Sequence, residues 1–261
     1  MIMEDLRVTL LQSDLYWESV EANLAQFEEQ IWEHDTETDL IVLPEMFTTG
    51  FSMNAAAMAE PMNSRTFRWM KQHAEQQNAV VCGSYIINEH GQFFNRFFAV
   101  YPDASFTYYD KRHLFALGGE ADPYLPGKER VIFDVKGWKV MPLICYDLRF
   151  PVWSRQQEGF EYDLLLYVSN WPKPRIHAWD TLLSARAIEN LSYSIGVNRT
   201  GTDGKGLSYV GHSNAYDYLG HSMLETSEKP TAKTLTLSYE NLQQFRKQFP
   251  FDKEADSFRI L

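Results

Sequence analysis

Cysteine, clustered basic residues and long apolar runs are scarce in this sequence, and each scarcity excludes a class of protein. Only two cysteines, Cys82 and Cys145, occur among 261 residues, which excludes a disulfide scaffold and is typical of a reducing compartment such as the cytoplasm. The net charge is −11 and the Lys and Arg residues are scattered. We therefore expect no nucleic-acid partner, because phosphate contacts need clustered cations. No apolar stretch approaches the roughly 18 residues of a membrane span, so we expect no membrane partner either.

Signals for metals, nucleotides and secretion are also absent. No two of the seven histidines have the i, i+4 spacing of a zinc helix, and no Cys/His cluster occurs, so we predict no metal and no cofactor. Residues 201–206 superficially resemble a phosphate loop but lack its Gly-Lys-Ser/Thr ending, and we predict a turn. Residues 1–7 lack the charged and apolar regions of a secretory signal.

Strand-like and helix-like segments alternate in the first half of the chain and again after Cys145, with hairpin-like units between them. Predicted strands lie near 6–11, 40–43, 79–87, 164–168 and 194–197, predicted helices near 20–31, 64–78 and 177–190, and hairpin turns at 88–91 and 136–137. No linker-like composition interrupts the sequence. We expect one domain over residues 1–261, of class α/β (α+β), with two stacked mixed sheets and helices outside. The tail, from about 240 to 261, is predicted to form a helix and an extended end.

Cys145 ends the apolar run Val140-Met-Pro-Leu-Ile and is followed at once by Tyr146-Asp-Leu-Arg-Phe-Pro151. A buried strand that stops on a cysteine and leads into a Pro-started helix presents a thiol and free backbone N–H groups at one point. A nucleophile and half of an oxyanion hole need that arrangement. The alternative is a packed core cysteine, which is the reading we give to Cys82.

Two further polar residues follow apolar segments in the same way. Glu45 comes directly after the short strand predicted at 40–43, and Lys111 follows the strand-like residues 106–109. Taken alone, each fits an ordinary surface or loop charge. Together with Cys145 they supply a thiol nucleophile, a base to take its proton, and a cation to neutralise the oxyanion, with the Tyr146 N–H as second donor.

Three segments carry a family resemblance. Pro44-Glu45, Asp110-Lys111-Arg-His-Leu-Phe115 and Cys145-Tyr-Asp-Leu-Arg-Phe-Pro151 resemble the motifs of the nitrilase superfamily of carbon–nitrogen hydrolases, in the same order, with Lys111 66 residues after Glu45 and Cys145 34 residues after Lys111. The resemblance implies a four-layer αββα sandwich, commonly a homodimer in which the C-terminal extension serves dimer contacts. It implies a Glu45–Lys111–Cys145 catalytic triad with Glu120 as a supporting second glutamate.

Within that superfamily, residues 43–53 resemble the bacterial omega-amidase branch. The resemblance implies hydrolysis of the terminal amide of small 2-oxo acid amides, such as 2-oxoglutaramate and 2-oxosuccinamate, through a Cys thioester. It also implies a link to methionine salvage. The residues themselves indicate only a hydrolase of small amides.

A 2-oxo acid amide carries a carboxylate several bonds from the reacting carbonyl. Arg149 follows Cys145 by four residues, and we expect it on the same side of a helix as the thiol. It is ambiguous, because it could instead pair with Asp147 or Glu158. Asn170 and Trp171 follow the strand predicted at 164–168 and are expected at the same rim. We assign Arg149, Asn170 and Trp171 to substrate binding.

Several alternatives stay open at this stage. The same triad would serve an N-carbamoyl amino acid hydrolase, a deaminated peptide amide hydrolase or a nitrile hydrolase, while a non-catalytic binding member would belong to another class. A glutaminase domain that feeds ammonia to a synthetase is disfavoured because no synthetase domain follows. A papain-like Cys–His pair would use His113 or His177 as the base, but the residues that flank Cys145 do not resemble those of a papain cysteine. We expect His113 to form a structural hydrogen bond instead.

Overall fold

The computed structural model describes residues 4–260. The first three residues of the segment tested for a secretory signal lie outside the described residues. The strands, in chain order, are β1 (Leu6–Gln12), β2 (Leu40–Val42), β3 (Glu60–Pro61), β4 (Val80–Glu89), β5 (Gln92–Val100), β6 (Phe106–Asp110), β7 (Phe133–Val135), β8 (Trp138–Ile144), β9 (Leu164–Ser169), β10 (Tyr193–Asn198), β11 (Thr200–Thr202), β12 (Ser208–Val210), β13 (Asn214–Tyr216) and β14 (Thr231–Leu237).

The helices are interspersed with these strands. The α-helices are α1 (Val20–Glu33), α2 (Ala55–Met58), α3 (Arg65–Gln77), α4 (Pro151–Ser154), α5 (Ile176–Asn190) and α6 (Tyr239–Gln248), and the 3₁₀ turns are Ala116–Gly118, Cys145–Arg149, Lys173–Arg175 and Phe251–Glu254. Within residues 4–260, no helix combines the length and the apolarity needed to cross a bilayer.

Two large mixed sheets form the centre of the molecule. The first has the order β14-β1-β2-β4-β5-β6 with β3 beside β4, and the second has the order β13-β10-β9-β8-β7. Each contains a parallel set, β1-β2-β4 in one and β8-β9-β10 in the other, flanked by antiparallel strands. β11 and β12 form a separate hairpin, so residues 201–206 belong to a turn-containing hairpin as predicted.

The side chains of a strand alternate between the two faces of its sheet, so each face can contribute to a different core. In β1, Leu6, Val8 and Leu10 join the large core between the sheets, and Leu11 joins the core beneath α1 and α3. Because successive side chains point to opposite sheet faces, one short strand serves both layers. The outer face of the second sheet packs on α5 through residues that include Trp179. The predicted αββα sandwich is confirmed.

The segment after Cys145 differs from its prediction. A five-residue 3₁₀ turn, Cys145–Arg149, comes before the Pro-started helix α4, which is only four residues long. Asp147 explains the tight turn, because its carboxylate accepts the backbone N–H of Ile144 at 3.0 Å. The thiol therefore lies at the start of a 3₁₀ turn and not of a long α-helix.

The C-terminal tail begins as the predicted helix, α6. Leu242 is fully buried in the core between the sheets and α5, and the Arg246 guanidinium donates to Asp163 at 2.8 Å. This first part of the tail is therefore anchored to its own chain, while residues 251–259 are mostly exposed.

Candidate active site

Glu45 is fully buried at the carboxyl end of β2. Its Oε1 accepts from the Lys111 ammonium at 2.8 Å and from the Asn95 amide at 2.9 Å. Its Oε2 accepts the backbone N–H of Asn170 at 2.8 Å. These donors satisfy a carboxylate that would otherwise be costly to bury, and they fix its orientation.

Lys111 follows β6 directly, and its side chain is fully buried. Besides Glu45, the ammonium contacts both carboxylate oxygens of Glu120 at 2.8 Å and lies 5.2 Å from the centre of the Phe51 ring. Burial alone would lower the pKa of Lys111, but the two carboxylates outweigh it and raise that pKa. The group is a fixed, fully buried positive charge.

Glu120 is the second carboxylate on this ammonium. The backbone N–H of Phe115 also donates to it, at 2.6 Å. Burial raises the pKa of Glu120, the ammonium of Lys111 opposes that effect, and the nearby Glu45 carboxylate adds to it. Three charged groups thus share one buried cluster, with one cation between two anions.

Cys145 faces this cluster from the end of β8. Its φ of +46° lies in the left-handed region, which a residue with a side chain seldom adopts. Such strain is typical of a residue that the surrounding structure holds for function. The thiol is half-buried, and its Sγ lies 4.0 Å from the Asn170 carbonyl. Burial and then the charge of Glu45 raise its pKa well above the usual thiol range, against the opposing effect of Lys111.

The Tyr146 N–H lies in the first turn of the 3₁₀ segment, where helical N–H groups have no intrahelical partner. Asp147 beside it fixes this turn to the strand that carries Lys111. Its carboxylate accepts from the Tyr109 hydroxyl at 2.8 Å, and the ring Nδ1 of His113 lies at 2.8 Å. The structural role expected for His113 is confirmed by these contacts. Neither His113 nor His177 lines the pocket described next.

A cavity of about 130 Å³ opens on Cys145. It is lined by Phe51, Phe115, Gly118, Cys145, Tyr146, Arg149, Asn170, Trp171, Pro172, Arg175, Asp203, Lys205, Leu207 and Tyr209. Five of these residues are aromatic and most of the accessible wall is apolar, as in most sites for small molecules, while four charged side chains complete the lining. The three residues assigned to substrate binding all line it.

Arg149 lies with its guanidinium 4.9 Å from the centre of the Trp171 ring, and it forms no ion pair within residues 4–260. Neither of the suggested pairings is formed: the Asp147 carboxylate contacts Tyr109 and His113, and Glu158 forms no ion pair with Arg149. The expectation that Arg149 and Cys145 share one face of a helix was wrong. The segment between them is a 3₁₀ turn with three residues per turn, so residues four apart do not lie on the same face. Asn170 lines the cavity as expected, and its amide also donates to the Glu45 carbonyl at 2.6 Å.

Sequence reasoning missed several residues of the site. Asn95 lies in the middle of β5, where nothing distinguishes it from a surface-facing polar residue, although it donates to both buried carboxylates. Arg175 and Tyr209 come from segments without a recognisable motif. Lys205 lies in the glycine-rich turn after β11, which the sequence analysis recognised without assigning this residue to the site. Among the described residues, no group of three or more His, Cys, Asp or Glu side chains is arranged to hold a metal ion.

Comparisons with known proteins agree with this geometry. The carbon-nitrogen hydrolase family model matches residues 7–247. The chain is 45% identical to omega-amidase YafV of Yersinia enterocolitica, over 99% of this chain and all of that protein. It is 28% identical to a 2-oxoglutaramate amidase of Bacillus subtilis, over 93% of this chain and 95% of that one.

A solved structure extends the similarity to three dimensions. XC1258 from Xanthomonas campestris is a CN-hydrolase superfamily protein with an arsenic adduct in its active site. It superposes with a TM-score of 0.96 at 40% identity, over 99% of this chain and all of that one. With the matching family model and these full-length similarities, the chain belongs to the carbon-nitrogen hydrolase family.

Proposed function

We propose that this enzyme is an omega-amidase, which hydrolyses the terminal amide of small 2-oxo acid amides such as 2-oxoglutaramate and 2-oxosuccinamate to the dicarboxylate and ammonia. The observation that carries the proposal is a buried Glu45–Lys111–Glu120 cluster that faces the strained Cys145 at the base of a cavity with a cationic rim. The full-length similarity to an omega-amidase supports the same substrate class.

The first half of the reaction acylates Cys145. Glu45 takes the thiol proton as the sulfur attacks the amide carbon, and the carbonyl oxygen becomes an oxyanion. Lys111 and the Tyr146 N–H stabilise that oxyanion; one such donor is typically worth about 2.7–4 kcal/mol of barrier. When the C–N bond breaks, Glu45 returns its proton to the leaving nitrogen, so that ammonia departs and a thioester remains.

The second half reverses these roles with water as the nucleophile. Glu45 takes a proton from water, whose oxygen attacks the thioester carbon, and Lys111 again stabilises the oxyanion. Collapse breaks the C–S bond, the thiol recovers its proton, and the carboxylic acid leaves. Glu120 is the supporting carboxylate, which holds the Lys111 ammonium in place.

Arg149 is our candidate for the substrate carboxylate. It lines the cavity and has no carboxylate partner among the described residues, and a guanidinium can bind a carboxylate in a bidentate manner. Trp171 provides the flat surface on which this side chain rests. Asn170 donates its backbone N–H and its amide N–H to Glu45, while its side-chain oxygen has no partner within residues 4–260 and can accept from a bound substrate.

The proposal extends to the cellular setting. We infer a cytoplasmic homodimer that takes part in methionine salvage, where transamination of glutamine leaves 2-oxo acid amides. Two free cysteines are compatible with a reducing compartment. Exposed apolar side chains on α4 and after β13, together with Ile188 of α5, support a self-association surface.

Ammonia release across a panel of amides tests the function. We expect 2-oxoglutaramate and 2-oxosuccinamate to exceed N-carbamoyl amino acids, deaminated peptide amides and nitriles in kcat/KM. Cys145→Ala should be folded and inactive, and mass spectrometry with a slow substrate should detect an acyl adduct on Cys145 and none on Cys82. A higher kcat/KM for a carbamoyl amino acid would contradict the proposed substrate class. Binding of panel compounds without turnover of any of them would indicate a non-catalytic protein.

A further inference from the structure

Three cations line the Cys145 cavity although the chain has a net charge of −11. Arg149 is the one already assigned. Arg175 comes from the 3₁₀ turn after β9, and Lys205 comes from the loop between β11 and β12. Within residues 4–260, neither of these two side chains forms an ion pair or donates a hydrogen bond. In a protein so acidic, two cations without carboxylate partners at one opening indicate a binding site for a negatively charged ligand.

The backbone holds both cations at the mouth. The carbonyl of Arg175 accepts the indole N–H of Trp171 at 2.8 Å, and its guanidinium lies 5.3 Å from the centre of the Phe115 ring. Both aromatic residues line the cavity. Arg175 therefore has a defined position, although its charged end is exposed.

The loop that carries Lys205 is organised by Asp203. One oxygen of this carboxylate accepts the backbone N–H groups of Lys205 and Leu207, each at 2.9 Å, and the other accepts the Tyr209 hydroxyl at 2.9 Å. Among the described residues that line the cavity, Asp203 is the one acidic residue, and both of its carboxylate oxygens accept hydrogen bonds from its own loop and from Tyr209. The buried Arg199 beneath the Tyr209 ring, 4.7 Å from its centre, further offsets this negative charge.

We propose that Arg175 and Lys205 form an outer anion-binding position at the mouth of the Cys145 cavity, which captures carboxylate-bearing substrates and disfavours uncharged ones. A cleft lined by charges of one sign, with apolar walls, concentrates ligands of the opposite sign and speeds their association. The position is distinct from Arg149, which acts on the bound substrate. The inference deepens the proposed function, since it defines which amides reach the thiol.

The test uses two alkylating reagents of similar size and different charge, iodoacetate and iodoacetamide. Each displaces iodide by attack of the Cys145 sulfur, so the ratio of their second-order rate constants reports the electrostatic selection at the mouth. The Arg175→Gln/Lys205→Gln double variant should lower the iodoacetate to iodoacetamide ratio by about tenfold. High salt should reduce the wild-type ratio towards that of the variant, because exposed charges are screened.

Lys173→Gln is the matched control. Lys173 is exposed and lies two residues before Arg175, but it does not line the cavity. Its substitution should leave the ratio unchanged. A double variant with the same ratio as Lys173→Gln would overturn the inference, and so would equal losses with both reagents.

Kinetics with 2-oxoglutaramate separate this inference from the proposed function. The double variant should lose kcat/KM mainly through a higher KM, with kcat nearly unchanged. Absence of wild-type turnover would refute the proposed function, and the alkylation ratio would still test whether Arg175 and Lys205 form the outer anion-binding position. Normal turnover with an unaltered alkylation ratio would refute the outer position alone.

Discussion

Glu45 affects Cys145 in two opposite ways, and a single substitution separates them. As a base it is needed to remove the thiol proton during turnover, while its negative charge raises the pKa of that same thiol. We therefore expect the thiol to be protonated in the resting enzyme and to lose its proton to Glu45 as the sulfur attacks the substrate.

Glu45→Gln should lower turnover by about 10²–10⁴-fold, the usual contribution of a general base. It should also lower the thiol pKa, because a negative charge is removed and the Lys111 ammonium remains. The pH profile of Cys145 alkylation by iodoacetamide should then shift to lower pH than in the wild type. An unchanged alkylation profile would contradict the assigned proximity, and retained turnover would contradict the role of Glu45 as base.

Lys111→Met should be both inactive and unstable. It leaves two buried carboxylates without a cation, and breaking a buried ion pair commonly costs about 3–5 kcal/mol. The pKa of Glu120 is already raised by burial, and removal of Lys111 raises it further above its unfolded value. The folded variant then binds more protons than the unfolded chain, so its stability should increase as pH falls through that raised pKa.

Urea unfolding between pH 5.5 and 8 measures this effect. The difference in unfolding free energy between wild type and Lys111→Met should be largest at pH 8 and should shrink towards pH 5.5. Lys173→Met, which removes an exposed cation, provides the control and should show little change at any pH. A deficit for Lys111→Met that is independent of pH would exclude titration of the buried carboxylates.

At the level of elements, the site depends on the junction between β6 and the turn after β8. The Tyr109 hydroxyl donates to Asp147 and accepts the indole N–H of Trp153 at 3.0 Å. It thereby connects the strand before Lys111 to the turn that begins at Cys145. On the other side of this turn, Arg186 of α5 donates to the Leu148 carbonyl at 2.6 Å.

Tyr109→Phe should weaken this junction without removing a reacting group. Loss of a buried hydrogen bond that leaves a partner unsatisfied costs about 1–3 kcal/mol of stability. Looser spacing between Lys111 and Cys145 should lower kcat and leave KM almost unchanged. The neighbouring Tyr108 is 43% exposed, and Tyr108→Phe is the matched control for both measurements. Equal kcat values in the two variants would show that the junction is not needed for positioning.

The same elements show what sequence could and could not predict. Glu45, Lys111 and Cys145 were recognisable because each follows an apolar strand and the spacing matches a family. Arg149 was placed at the right cavity for the wrong reason, since the local backbone is a 3₁₀ turn set by Asp147. Asn95 and Arg175 were missed because their importance arises from tertiary contacts between distant segments, for which no local pattern exists.

At the scale of the whole molecule, apolar side chains remain exposed on one side of the second sheet. Val152 of α4 is 58% exposed, and Ile188 of α5 and Leu219 are each 50% exposed. The segment holding Leu219 is fixed to α5 by a hydrogen bond from the Ser184 hydroxyl to the Gly220 carbonyl at 2.9 Å. Clustered exposed apolar residues on a folded protein commonly mark an interaction surface.

The proposed homodimer can be tested on this surface. Ile188→Glu combined with Leu219→Glu introduces two like charges that an isologous contact would bring close to their symmetry copies. The variant should sediment as a monomer at micromolar concentration, where the wild type sediments as a dimer. Trp32→Glu is the control, because Trp32 is 67% exposed on α1, which covers the opposite outer face of the sandwich. A wild type that sediments as a monomer would contradict the proposed dimer. If the double variant stays dimeric and Trp32→Glu is monomeric, the interface lies on the side of the first sheet. Since α5 also supports the Cys145 turn through Arg186, we expect the monomeric variant to lose kcat and not substrate affinity.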